Sequence, residues 1–167
     1  MKKLVLLGFA ALFTSLVLHA QSPLEVGGKQ LNAGVGFSGW GIPLYVGLDY
    51  GLVEDITLGG ELSFRSYHNN FAGIKYSHTI FGISANGNYH FNTLLDIPSE
   101  WDFYAGLNIG YFIWISTANY LGSGDSGFGI GAQIGGRYFF KDNFAVNLEF
   151  AGGNSLSGGK MGISYIF

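Results

Sequence analysis

Residues 101–113 read Trp-Asp-Phe-Tyr-Ala-Gly-Leu-Asn-Ile-Gly-Tyr-Phe-Ile, and their order decides the fold. Trp101, Phe103, Ala105, Leu107, Ile109, Tyr111 and Ile113 fall on one side of an extended chain. Asp102, Tyr104, Gly106, Asn108 and Gly110 fall on the other. A repeat of two residues belongs to a β-strand, because successive side chains point to opposite faces of a sheet.

The same alternation recurs on both sides of this stretch. It predicts strands over residues 30–37, 44–52, 56–65, 76–91, 101–113, 128–140, 144–150 and 160–167. In each, one face is apolar and the other is rich in glycine, asparagine and serine. Residues 53–55 and 141–143 read as tight turns, and residues 66–75, 116–127 and 152–159 as longer loops. The 92–100 connection breaks that pattern, because Leu94, Leu95, Ile97 and Pro98 make it long and partly apolar. Eight hairpin-linked segments fit an up-and-down antiparallel barrel.

The direction of the apolar face separates two kinds of barrel. An eight-stranded barrel has an interior just wide enough for modest side chains or one small ligand. The aromatic load of the apolar face does not fit such an interior, so that face points outward. It carries no ionisable residue except tyrosine, as lipid requires. A lysine or arginine at the midplane of a bilayer costs about 2–4 kcal/mol in a barrel. Closing the sheet also pairs the backbone groups that lipid cannot satisfy. The expected fold class is therefore all-β, an eight-stranded antiparallel up-and-down transmembrane β-barrel.

Composition agrees. Only 11% of the 167 residues are charged, against about 25% in ordinary soluble domains. Aromatic residues make up 17%, and the formal net charge is −3. No basic patch exists, which argues against nucleic acid as a partner. The absence of cysteine excludes disulfides and thiol catalysis.

The first twenty residues read as an address. Lys2 and Lys3 precede the apolar run Leu4 to Leu18, which is short of the roughly 20 residues of a spanning helix. Ala20 offers a small residue at the cut. The expected organisation is a signal peptide over 1–20, an N-terminal periplasmic segment over 21–28 and the barrel over 29–167. Without Lys2 and Lys3, the 8 Lys and Arg fall to 6, against 11 Asp and Glu.

The chain ends in Met161-Gly162-Ile163-Ser164-Tyr165-Ile166-Phe167. A terminal Phe with apolar residues at alternate upstream positions resembles the C-terminal signal of bacterial outer-membrane proteins. With the leader and eight segments, the chain resembles the small Gram-negative outer-membrane β-barrel family, OmpX-like proteins and the OmpA transmembrane domain among them. The resemblance implies a bacterial cell outer-membrane location and lipid as the surrounding partner. It also implies the barrel-assembly machinery as a partner during biogenesis, with Tyr165 and Phe167 as its assembly signal. No large periplasmic domain is expected after Phe167.

Several residues are candidates for a role. Tyr89, Phe91, Trp101, Phe103, Tyr138, Phe140, Tyr165 and Phe167 lie near the expected periplasmic rim as an aromatic girdle. Asp49, Glu61, Arg65, Arg137 and Glu149 face inward as a polar network, in which Arg137, with Arg65, bridges Glu61 and Glu149. Diagonal strand neighbours lie about 7–8 Å apart, within reach of such side chains. Asp102 and Lys160 add inward charge, and Tyr45, Tyr104 and Phe112 add bulk that opposes free solute passage.

The histidines His68, His78 and His90 are widely separated and lack zinc spacing. Ser66, His68, Ser77 and His78 are the nearest approach to a hydrolytic arrangement, without a compact Ser/His/acid set. Gly127 to Gly131 could suggest a phosphate loop, but no helix or lysine follows. Trp40, Phe71, Trp114 and Tyr120 read as loop aromatics, able to anchor a partner or sit at the membrane interface.

No catalytic, cofactor or metal site is expected. The expected role is non-enzymatic, structural or in surface interaction, with a plugged interior and short loops that could meet an extracellular partner. A narrow pore is the alternative, and an outer-leaflet lipid A-modifying enzyme the next.

Overall fold

In the computed structural model, residues 24–39, 41–71, 74–116, 125–154 and 157–167 are described. Among them, β1 (Lys29–Phe37), β2 (Leu44–Val53), β3 (Ile56–Phe71) and β4 (Ile74–His90) are followed by a short helix, α1 (Asn92–Leu95). Then come β5 (Trp101–Ser116), β6 (Gly127–Lys141), β7 (Phe144–Gly153) and β8 (Gly158–Ile166). Each strand pairs with its sequence neighbours, and β8 returns to β1, closing the barrel. All pairings are antiparallel, and Gln30 opposite Ile166 belongs to the seam. The eight expected strands are present, and their alternation becomes burial. In β2 every second residue from Leu44 to Tyr50 is exposed, and those between are buried. No strand edge is left along the seam, which removes the unpaired backbone of an open sheet.

The apolar side chains lie outside. Leu107 is 68% exposed, and Leu58, Leu62, Ile83, Ile109, Ile130, Ile134 and Ile163 are exposed with it. The interior is polar: Gln30, Asp49, Thr57, His90, Asp102, Arg137 and Ser164 are all buried. This inversion of a soluble core fits an apolar solvent outside.

Two expectations change. The loop expected over 66–75 is mostly strand, because β3 and β4 stay paired from Ile56↔Tyr89 to Phe71↔Ile74. Beyond the apolar belt neither face needs to be apolar, so the alternation fades while the backbone ladder continues. β2 leaves β3 after Leu44↔Phe64. The β3–β4 hairpin therefore rises above its β2 side.

The 92–100 connection is the second change. Its helical turn α1 ends at Asp96, whose φ of 51° is left-handed and whose N–H donates to the Asn92 carbonyl. Asn92 is buried and donates through Nδ2 to the Trp101 carbonyl at 2.6 Å. Thr93 Oγ1 donates to Asp55 Oδ1 at 3.0 Å, tying the connection to the β2–β3 turn. The connection is thus a folded cover at the end of the barrel that holds Lys29 and Phe167. The strap of residues 24–28 joins the same end: Gly27 N–H donates to the Gly51 carbonyl, and Leu24 is buried.

The sealed lumen as candidate functional site

Arg137 reaches across the lumen from β6. β6 places it opposite Asp102 of β5 and Asn147 of β7. Its Nη1 donates to Asp102 Oδ2 at 2.7 Å, and its Nη2 donates across the lumen to Asp49 Oδ2 at 2.9 Å. The guanidinium carbon also lies 4.4 Å from the centre of the Tyr104 ring. Oriented with its amide oxygen inward, Gln30 accepts from Nε at 3.0 Å and from Nη2 at 3.2 Å. A buried guanidinium needs such pairing, because an unmatched charge in the interior is costly.

The network continues from both carboxylates. Asp102 Oδ1 lies 2.6 Å from His90 Nδ1, and His90 Nε2 lies 3.0 Å from Thr57 Oγ1. Asp49 accepts from Asn32 Nδ2, and Ser164 Oγ donates to Asn32 Oδ1. Asn147 donates to Ser164 and accepts from Tyr45 OH at 2.8 Å.

Nearer the loop end, Lys160 of β8 takes the central place. Its Nζ lies 2.6 Å from Glu61 Oε2 and 2.8 Å from Glu149 Oε1. Tyr104 OH donates to the other oxygen of Glu149 at 2.9 Å, linking the two cation centres. Tyr104 can lie across the lumen because Gly135 faces it. A Cβ at Gly135 would come within 2.4 Å of the tyrosine ring.

The partners differ from the sequence expectation. Arg137 does not bridge Glu61 and Glu149; Lys160 does. Asp102 stands directly opposite Arg137, Glu149 only diagonally, and closure of the sheet brings Asp49 of β2 within reach. Arg65 bridges neither glutamate and instead donates to Ser38 Oγ at 3.3 Å.

The histidines also separate. His68 is exposed and opposite Ser77, and Ser66 is exposed opposite Thr79. His78 is buried inside, with Nδ1 at 2.8 Å from Ser116 Oγ and Nε2 at 2.9 Å from Asn69 Oδ1. The Tyr67 ring stacks on it at 4.8 Å. The four candidates therefore do not form one arrangement. Among the described residues no group of three or more His, Cys, Asp or Glu could hold a metal ion.

Trp114 is not a loop residue. It lies on β5, facing inward, with its ring edge against Tyr67 at 6.0 Å. Phe71 ends β3, whereas Trp40 and Tyr120 lie outside the described residues. The stretch from Gly127 to Gly131 is part of β6 rather than a phosphate loop.

The expected girdle residues cluster in pairs at the end that holds Lys29 and Phe167. Trp101 meets Tyr138 at 4.7 Å and Phe103 at 5.7 Å. Tyr89 meets Phe91 at 5.3 Å, and Phe140 meets Phe144 at 6.3 Å. Tyr165 meets Phe144 at 4.6 Å and Phe167 at 6.2 Å.

No protein-family model and no curated protein sequence matches the chain. Solved structures do match. The N-terminal β-barrel domain of OprF from Pseudomonas aeruginosa is 19% identical, with a TM-score of 0.59, over 85% of this chain and 98% of that one. The outer membrane protein OprG from Pseudomonas aeruginosa is 10% identical, with a TM-score of 0.67, over 86% and 97%. Neisserial surface protein A is 14% identical, with a TM-score of 0.51, over 84% and 95%. The likeness is one of fold: a closed, eight-stranded, antiparallel barrel.

Proposed function

We propose that the chain is a bacterial outer-membrane barrel with a sealed lumen, serving a structural or surface-interaction role without catalysis. The observation that carries this reading is the cross-lumen clamp of Arg137 between Asp49 and Asp102. A solute moving along the axis would have to part buried ion pairs that leave their partners unmatched. Lys160, between Glu61 and Glu149, repeats the obstruction nearer the loops. The two lumen cavities lined by Glu61 and Lys160 measure about 20 Å³ each, the size of a water site.

Lipid is the proposed partner of the outward apolar face. The end with Lys29 and Phe167 is assigned to the periplasm, and the loop end to the cell surface. Tyr165 and Phe167, at the end of β8, are the proposed signal for the barrel-assembly machinery. An extracellular partner would then meet the loop end, where the β3–β4 hairpin rises above its β2 side.

Cell fractionation tests the placement. The full chain, expressed with its leader in a Gram-negative host, is expected in the outer-membrane fraction. It should migrate on a gel differently before and after boiling. Recovery from the soluble periplasm would refute the membrane reading.

A further inference from the structure

The wall made by β3 and β4 carries a furrow on its outward side. Leu62, Phe64, Phe81, Ile83, Tyr111 and Ile113 line a cavity of about 650 Å³ there. A second cavity, of about 510 Å³, shares Leu62, Ile83 and Tyr111 and continues to Gly60 and Ala85. Gly60 and Ala85 are register partners and form its floor. Packing does not force a glycine at this position. A Cβ on Gly60 would meet nothing nearer than the Ser84 carbonyl, at 3.8 Å. The floor is open space on the lipid side.

Towards the loops, the outward residues of the same two strands change character. The register pairs run Gly60↔Ala85, Leu62↔Ile83 and Phe64↔Phe81, then Ser66↔Thr79, His68↔Ser77 and Asn70↔Lys75. Apolar pairs give way to two hydroxyls about 7 Å further along the strands, and then to an imidazole and an ammonium. None of the upper six residues is acidic. His68 and Lys75 are exposed, and neither joins an ion pair among the described residues. They stand diagonally, about 7–8 Å apart, a spacing that lets both side chains reach one phosphate.

That order matches a lipid from end to end. A fatty chain fits the furrow, the Ser66 and Thr79 hydroxyls stand where its ester oxygens can accept, and the phosphate meets Lys75 and His68. Charge selects the headgroup. An unpaired ammonium beside a membrane surface draws an anion, whereas a zwitterionic headgroup brings its own ammonium against Lys75. We infer that the β3–β4 wall holds one anionic, phosphate-headed lipid of the loop-end leaflet, its phosphate at Lys75 and His68 and one acyl chain in the furrow. This rests on the proposed membrane placement and turns the surrounding lipid into a bound partner.

The barrel, residues 21–167, is refolded into phosphatidylcholine nanodiscs that carry a minor fraction of phosphatidic acid, spin-labelled at mid-chain. Methyl line broadening is compared between Leu62 and Ile83 at the furrow and Leu148 and Ile163 on the β7–β8 wall, all four exposed. Several-fold stronger broadening at the furrow is expected. Lys75→Gln, at an exposed and unpaired position, should bring the two walls to parity. Gly60→Phe, which fills the floor and leaves the headgroup residues intact, should do the same. Phosphatidylcholine with the same label should broaden both walls alike. Equal broadening by labelled phosphatidic acid, an unchanged preference in Lys75→Gln, or the same preference for labelled phosphatidylcholine would each overturn the inference. If both walls broaden alike, the site is wrong and the barrel still lies in lipid. If neither lipid broadens either wall, the membrane placement fails with it.

Discussion

Arg137 on β6 and Asp49 on β2 stand on opposite walls of the barrel and meet at 2.9 Å. With Asp102 at 2.7 Å on the other amino group, the guanidinium ties three strands through the lumen. The backbone ladder closes the barrel, and this clamp spans its lumen.

Removing the clamp should cost stability. Arg137→Met leaves Asp49 and Asp102 buried without their cation, and should lower the unfolding free energy by about 3–5 kcal/mol. Urea unfolding in lipid vesicles measures this. Adding Asp49→Asn and Asp102→Asn should recover part of the loss, because the orphaned charges go with the arginine.

Lys160→Met should show the same logic more weakly. Glu61 and Glu149 would face one another without the ammonium, at a cost of about 1–3 kcal/mol. The triple variant with Glu61→Gln and Glu149→Gln should be more stable than Lys160→Met alone. Equal stability of the two would argue that the ion pairs contribute nothing.

Gly135→Val places carbon where the Tyr104 ring lies. The expected loss is about 1–3 kcal/mol from overpacking. Tyr104→Ala in the same chain should relieve part of it. Thermal unfolding followed by gel migration reads both.

The outer face is tested by Leu107→Arg. Leu107 is 68% exposed midway along β5, so a soluble barrel would accept arginine there. In a bilayer the expected penalty is about 2–4 kcal/mol. Comparing unfolding in vesicles with the same substitution at the exposed Glu54 turn separates the two environments.

The fold was legible because a period of two survives in every strand, and because aromatic bulk on the apolar face excluded an inward orientation. The partners in the lumen were less legible. Sequence spacing suggests diagonal neighbours such as Arg137 and Glu149. It does not show that closure brings Asp49, 88 positions away, to the same guanidinium. Asp102 falls on the inward face by parity, but parity alone does not set its register opposite Arg137. The upper β3–β4 hairpin is not legible, because Ser66 to Asn70 carry no apolar alternation and backbone pairing does not need it. Likewise, α1 is too short to show a helical period, and its cover depends on Asn92 and Thr93 contacts that no local pattern signals.

The most direct test of the proposed sealed lumen is the conductance of the refolded barrel, residues 21–167, in a planar bilayer, with insertion verified independently. The inserted protein should be silent, since Arg137 and Lys160 block the axis in succession. Reproducible discrete current steps from the unsubstituted chain would contradict the account.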